Sequence, residues 1–435
     1  MEKNSTKSAR QLVLDLLLKA EKSKQFSNIA LDKALEASIL EDADRRLVSV
    51  LFYGVIERLI TLDHRIEALS SRPIEKIDTP TLYALRLGLY QLIYTRIPAH
   101  AAINETVELC PRRTAGFVNG ILRSHTRTEP TPLPDIVTAP VKHLSVKHSV
   151  CEALCERFVK VFGAQRADSV LAAFGNTPPT TLRVNTLKTS REKLLSRIDG
   201  AEPTALSSVG LRVKGSVRDI YGFSEGLFFV QDEASQLCVA ALDARPHQTV
   251  MDICACPGSK SFGAAIDMEN TGRVLSFDLH AKKLSLITSG AKRLGIDTIS
   301  VSEQDGRVQL PDLLGQADRV LCDVPCSGFG VLAKKPELRY KDPEGSDSLP
   351  DIQLAILENA CGYVKEGGTL VYSTCTVIPE ENELNLKRFL ASHPEFSLCS
   401  FNLGERQIKQ GYITLLPDEY PTDGFFIAKL IRGTL

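Results

Sequence analysis

From about residue 245 the chain alternates short apolar runs with segments of helix length. TVMDICA, RVLSFDL, TISVSEQD, RVLCDVP and TLVYSTC are each of strand length. Strands that alternate with helices pack as a parallel sheet with helices on both faces. Residues 241–435 are therefore expected to form an α/β, Rossmann-like domain with a mostly parallel sheet. EFSL and FFIAKLI, near the end, read as two more strands joined directly, which predicts an antiparallel edge.

The rest of the chain reads differently. Residues 1–127 carry helical periodicity and no strand pattern; Leu82, Leu85, Leu89, Leu92 and Ile93 recur on one helix face before Pro98 stops it. Five or six helices in a small all-α bundle are expected. Residues 128–140 are proline-rich and read as a linker. Residues 141–240 mix helical stretches with strand-like pieces (TTLRVNTLK, LRVKGS, LFFVQDE), predicting a small α+β segment.

Formal net charge is -1, so the whole-chain balance gives no support for nucleic-acid binding, and any basic surface must be local. No apolar stretch reaches the ~18 residues of a membrane span, and Leu12–Leu18 lacks a cleavage site behind it. A cytoplasmic, unprocessed protein is expected, with no membrane partner. The eleven cysteines include no C-x-x-C pair, and their spacings suit zinc poorly. No metal is expected, and most of the thiols read as small core residues.

The first strand-to-helix turn, DICACPGSK, lies where ligands bind in this fold class. Gly258 lets a ligand approach the backbone, and Lys260 opens the helix. Asp278 follows twenty residues after Gly258, the offset of an acid that accepts from a ribose diol. The G-x-G-x-x-G of dinucleotide sites is missing. One glycine and a lysine suit a nucleoside without a pyrophosphate, and S-adenosylmethionine has that shape. Asp305, in SEQDG, would lie near the adenine amino group.

DVPCSGFG ends the fourth strand and STCTV ends the fifth, so Asp323, Cys326 and Cys375 should meet at one sheet edge. Amine methyltransferases place Asn/Asp-Pro-Pro-aromatic at the fourth-strand position; here a cysteine stands in place of the aromatic residue. A thiolate suits carbon 5 of cytosine, which is a poor nucleophile until something adds to carbon 6. The scheme needs a nucleophilic thiolate, an acid near ring nitrogen 3, and a base or second thiol for release.

DVPCSGFGVL, STCTVIPEEN, DICACPGSK, RVN (183–185) and VQDEASQL (230–237) resemble the motifs of RNA (cytosine-C5)-methyltransferases. DRRLVSVLFYGVIER, GLYQLIYTRIPAHAAINETVEL and GFVNGILR resemble the NusB-like RNA-binding domain joined to that catalytic unit in bacterial Sun/RsmB-type 16S ribosomal RNA enzymes. The resemblance implies Cys375 as nucleophile, Cys326 in product release and Asp323 at the base. It implies a cofactor loop of Cys254, Ala255, Cys256, Pro257, Gly258, Ser259 and Lys260, with Asp278 on the ribose, Asp305 near the adenine and Asp323 beside the cofactor.

It also implies a flipped cytosine of 16S ribosomal RNA as substrate, in naked RNA or in an assembling small subunit, and a monomeric enzyme. Cys256 and Ser259 depart from the family's alanine and glycine, and a positive φ at Ser259 would be strained. The chain has no tryptophan. A free thiol titrates near ~8.5, so Cys375 needs a neighbouring cation or helix N-terminus, and Lys260 is the candidate. Arg112, Arg113, Arg123 and Arg127, with Lys334, Lys335, Arg339 and Lys341, are candidate phosphate contacts, and Tyr340 a stacking residue. The competing readings are a non-catalytic RNA-binding or antitermination protein with a relic methyltransferase domain, and a nicotinamide oxidoreductase, which the single-glycine loop disfavours.

Overall fold

The computed structural model describes residues 7–23, 28–176 and 178–433. The chain divides into two compact units. The first runs to Ala172 and takes in Lys335–Asp342; the second holds Ala173–Lys334 and Pro343–Leu435. Among the described residues, no helix is long and apolar enough to cross a membrane.

The first unit is helical. Among the described residues seven α-helices, rather than the expected five or six, fill its opening part: Ala9–Ser23, Asn28–Glu36, Asp42–Glu57, Leu59–Leu69, Thr79–Tyr94, Ala99–Glu108 and Arg112–His125. Thr79–Tyr94 begins where the Asp78 carboxylate accepts from the Thr81 amide at 3.2 Å. Leu85 and Leu89 of this helix are fully buried, while Ile93 is 40% exposed. Tyr83, Ala84, Leu87 and Gly88 are buried as well, so the helix is covered on more than the one face that its leucines mark.

The proline-rich stretch is held by buried Arg65, which donates to His125 Nδ1, the Glu129 carbonyl and the hydroxyls of Thr128 and Thr131. Helices Pro140–His148, Glu152–Phe162 and Ala164–Ala173 follow. Residues 335–342 belong to this unit through Tyr340. Its hydroxyl donates to the Ile56 carbonyl at 2.6 Å and accepts from the Leu59 amide at 3.2 Å.

The second unit opens with an antiparallel four-stranded sheet in the order Glu202–Pro203, Gly210–Val213, Thr180–Val184, Phe228–Val230. An eight-stranded sheet follows, with strands β1 (Thr249–Asp252), β2 (Arg273–Asp278), β3 (Ile299–Glu303), β4 (Ala317–Asp323), β5 (Val364–Thr374), β6 (Phe396–Leu398), β7 (Tyr412–Leu415) and β8 (Phe425–Arg432). Its order is β6-β8-β5-β4-β1-β2-β3, and β7 pairs with the other part of β8. The five strands from β3 to β5 in this order run parallel, and β8 pairs antiparallel with β5.

Both faces are covered, which is why these strands read as apolar runs. Val250, Leu321 and Val371 pack with helices Glu233–Leu242, Ser259–Asp267 and Ala281–Leu294 on one face. Met251, Val320, Cys322 and Tyr372 pack with helices Leu349–Cys361 and Glu383–Ser392 on the other. The chain leaves β1 in one direction through β2 and β3, then returns to β1's other side with β4. That reversal opens a crevice at the carboxyl ends of β1 and β4.

The expected direct join between EFSL and FFIAKLI is corrected. β6 and β8 do pair antiparallel, but β7 and a small hairpin, Phe401–Leu403 with Arg406–Ile408, lie between them in the chain. Strands of three or four residues are too short for a period-two pattern to declare itself.

Candidate active site

Strands β4 and β5 place the reactive groups. Their parallel register sets Asp323 opposite Ser373, and the Val324 amide donates to the Ser373 carbonyl at 3.1 Å. The two chains then turn away from the sheet side by side. Three residues past Asp323 comes Cys326, and two past Ser373 comes Cys375. Their sulfur atoms lie 3.1 Å apart. The hydrogen bond with Cys375 and then burial push the Cys326 thiol well above its ordinary value.

Asp323 is fixed from two sides. Lys260 Nζ donates to its Oδ2 at 2.6 Å, and Ser373 Oγ donates to Oδ1 at 2.7 Å. Burial alone would lower the Lys260 ammonium, but the Asp323 carboxylate outweighs burial and holds it above its ordinary value. Lys260 also lies 5.4 Å from the centre of the Phe425 ring.

A buried carboxylate that the sequence reading left without a role braces both loops. Glu381 Oε2 accepts from the Ser327 amide at 2.9 Å and from Gln353 Nε2 at 2.8 Å; its Oε1 accepts from Ser327 Oγ at 2.6 Å. Asn382 ties the β5 loop to itself, accepting from Thr374 Oγ1 at 2.6 Å and donating to the Thr376 carbonyl at 3.0 Å. The Gly330 amide donates to the Cys375 carbonyl at 2.9 Å. A Cβ at Gly330 would stand 1.9 Å from the Gly424 carbonyl oxygen, so only glycine fits there. Ser373 could have been found by aligning the two strand ends; Glu381, inside Pro-Glu-Glu-Asn, gave no periodic signal.

The loop expected to hold the cofactor leaves β1 at Asp252. Asp252 is buried, with Oδ2 accepting from Ser261 Oγ at 2.7 Å and Oδ1 without a partner. Burial pushes it up to about 7, against the lowering effect of Ser261. The Ala255 amide donates to the Phe277 carbonyl at 2.8 Å, which ties the loop to the end of β2. The left-handed residue is Gly258 (φ 106), not Ser259. Ser259 is the first residue of helix Ser259–Asp267, so the strain expected there is absent; its carbonyl accepts from Gln231 Nε2 at 3.1 Å.

Asp278 Oδ2 accepts from the Cys256 amide at 3.1 Å and Oδ1 from the His280 amide at 3.0 Å. Carboxylate oxygens have further lone pairs to offer. Burial, then the nearby Asp278 carboxylate, push the Cys256 thiol up to about 11; burial raises Cys254 as well. Asp305 stands two residues beyond the end of β3 and is paired with Arg307 at 2.6 Å. Hydrogen bonds from the Arg307 side chain and backbone hold it at about 2.

Part of the basic group after the DVPC turn is placed differently from the phosphate-contact reading, while Lys335 is exposed. Lys334 donates to Asp232 Oδ2 at 2.5 Å and Asp423 Oδ2 at 2.7 Å. Arg339 is buried and donates to the His148 carbonyl at 3.0 Å. Tyr340 is packed inside the first unit rather than offered for stacking. Arg112, Arg113, Arg123 and Arg127 are all exposed.

Residues 239–431 match the family model described as 16S rRNA methyltransferase RsmB/F, residues 7–127 the NusB family, and residues 152–218 a Methyltr_RsmF/B-like, ferredoxin-like domain. The probable ribosomal RNA small subunit methyltransferase B of Bacillus subtilis (strain 168) is 37% identical over 443 residues, covering 97% of this chain and 98% of that one. The chain belongs to this methyltransferase B family. The corresponding probable enzyme of Synechocystis is 36% identical, with 98% of this chain and all of that one covered. The protein PH0851 superposes with a TM-score of 0.77 at 25% identity over 98% of both chains.

Family membership makes the protein a methyltransferase that uses S-adenosylmethionine. The residues present fit that cofactor: a positive-φ glycine where the turn must admit a ligand, a half-buried acid at the end of β2, and the unpartnered, buried Oδ1 of Asp252 under the loop.

Proposed function

We propose that the protein methylates carbon 5 of a cytosine in 16S ribosomal RNA, with Cys375 as the nucleophile. The observation that carries the reading is the 3.1 Å approach of two sulfurs beside the Lys260–Asp323 pair. A fixed carboxylate alone serves many methyltransferases; a second thiol against the first serves addition and elimination.

Cys326 keeps its proton, because its thiol is pushed upward. Its S–H is then a donor to Cys375, which is the sulfur poised to attack. The Cys375 thiolate forms a bond to carbon 6, and the electron pair of the 5,6 double bond becomes available at carbon 5. Asp323 takes the base edge that carries ring nitrogen 3, and Lys260 holds that carboxylate in place. When bound, S-adenosylmethionine supplies the electrophilic methyl group on its sulfonium. Solvent water takes the carbon 5 proton, the double bond re-forms and Cys375 leaves as a thiolate that the Cys326 S–H meets as a donor. Cys326, in contact with the leaving sulfur, is assigned to this release. Gly258, Ser259 and the loop from Cys254 to Pro257 are assigned to the cofactor, with Asp278 toward its ribose and Asp305 at the adenine end.

The test is methylation of 16S ribosomal RNA in vitro, read by bisulfite sequencing. Cys375→Ala should lower the rate at least about a thousandfold. Cys326→Ala should instead accumulate a protein–RNA adduct that survives denaturing electrophoresis. A methyl group at any position other than carbon 5 of cytosine, or full turnover by Cys375→Ala, overturns the assignment.

A further inference from the structure

The second unit holds another cleft, of about 1170 Å³. The Pro203–Val209 loop, helix Glu233–Leu242 and the small hairpin that begins at Phe401 wall it. Asp323, Cys326, Cys375, Gly258 and Asp278 are all absent from its lining. It exceeds the ~300–1,000 Å³ of small-molecule pockets, so it has room for a strand rather than a single small ligand.

Its chemistry is basic. Arg183, Arg191, Arg245, Arg406 and Lys429 line it, against three acids, Asp243, Asp267 and Glu405. In a chain of net charge -1 this is a local excess of cations. Arg183 is 2% exposed; one of its terminal nitrogens donates to Asp267 Oδ1 at 2.5 Å, but its Nε has no hydrogen-bond partner. Arg191 repeats the pattern: Nη1 donates to the Ser207 carbonyl at 3.1 Å, and Nε is buried without a hydrogen-bond partner, 3.8 Å from Glu192 Oε1. Unsatisfied buried donors are rare in native structures, and two at the wall of one cleft mark a place where an anion would complete the set. Burial also pushes the Lys429 ammonium below its ordinary value, against the pull of Asp243. A poorly solvated cation gains most from an arriving anion.

We propose that this cleft holds a single-stranded segment of the substrate RNA by its phosphodiester backbone, apart from the nucleotide that reacts. The proposal rests on the ribosomal RNA reading above for the identity of the strand. Guanidinium forks match phosphate oxygens in pairs, and such contacts position an RNA without reading its sequence. The contact is therefore sequence-tolerant and salt-sensitive.

Binding of a fluorescein-labelled 16S ribosomal RNA fragment to the full chain, followed by anisotropy at several salt concentrations, tests it. The double variant Arg191→Gln with Arg406→Gln should raise Kd about tenfold. It should also reduce the slope of log K against log salt by about 1.4, two phosphates at about 0.7 each for a single strand. KM for RNA should rise with kcat at saturation unchanged. Arg245→Gln is the milder second variant, expected to lower the slope by about 0.7, and melting temperature reports whether either variant still folds. An unchanged Kd and slope in folded variants overturns the proposal. Anisotropy does not report where the methyl group goes, so failure of the carbon 5 assignment leaves this result intact.

Discussion

The two halves of the crevice are built to opposite standards. At the β4–β5 edge the polar groups are held by one another: Asp323 by Lys260 and Ser373, and Glu381 by Ser327 and Gln353. At the β2–β3 edge the acids are loosely dressed. Asp278 accepts two backbone amides with lone pairs to spare, and Asp305 is paired with Arg307 at the surface. Covalent chemistry requires atoms fixed to fractions of an ångström. A diffusible cofactor that must enter and leave requires acceptors that can exchange one partner for another.

This contrast ranks the effects of substitution. Asp323→Asn removes the counter-charge of a nine-tenths-buried ammonium. It should cost about 3 kcal/mol or more in urea unfolding and remove activity; a smaller stability loss would mean that Lys260 finds another partner. Glu381→Ala leaves the Ser327 amide without an acceptor and Gln353 Nε2 with the Pro325 carbonyl alone. About 2 kcal/mol is expected, and kcat should fall more than KM changes, since both cysteine loops loosen together.

Asp252 offers a pH test of the floor between the two edges. Its folded value near 7 lies above its ordinary 3.8, so between those values the folded state holds a proton that the unfolded state has lost. Stability should therefore fall as pH rises from about 4 to about 7, with a contribution from this group approaching 1.4 kcal/mol per pH unit. Asp252→Asn should flatten the unfolding midpoint across that window, and an unaltered slope would sink the assignment. The smallest effect belongs to the open edge. Arg307→Gln should leave the melting temperature unchanged and alter only KM for S-adenosylmethionine, because a surface ion pair adds little to stability.

Much of the crevice was legible because strand ends are legible. Apolar runs stopping at Asp252, Asp278 and Asp323 located one sheet edge, and the cysteines three residues beyond β4 and one beyond β5 followed. What escaped was set by contacts remote in the chain. Glu381 acts through Gln353 and Ser327, 28 and 54 residues away. Lys334, Arg339 and Tyr340 read as a basic, aromatic surface patch, yet the first is taken by Asp232 and Asp423 and the other two turn inward. Charge composition cannot distinguish a solvated lysine from one clasped between two carboxylates. The short strands between β6 and β8 were missed because periodicity needs length.

The alternation along β4 carries a consequence for how this enzyme can change over time. Cys322 faces the hydrophobic interior, and Asp323, its immediate neighbour, ends the strand opposite Ser373. Deleting one residue from this strand would draw Val324 to where the carboxylate now stands and drive the acid into the greasy layer. Lineages can therefore trade apolar residues within β4 freely but cannot shorten it, and gaps in related sequences should fall in the connecting loops instead.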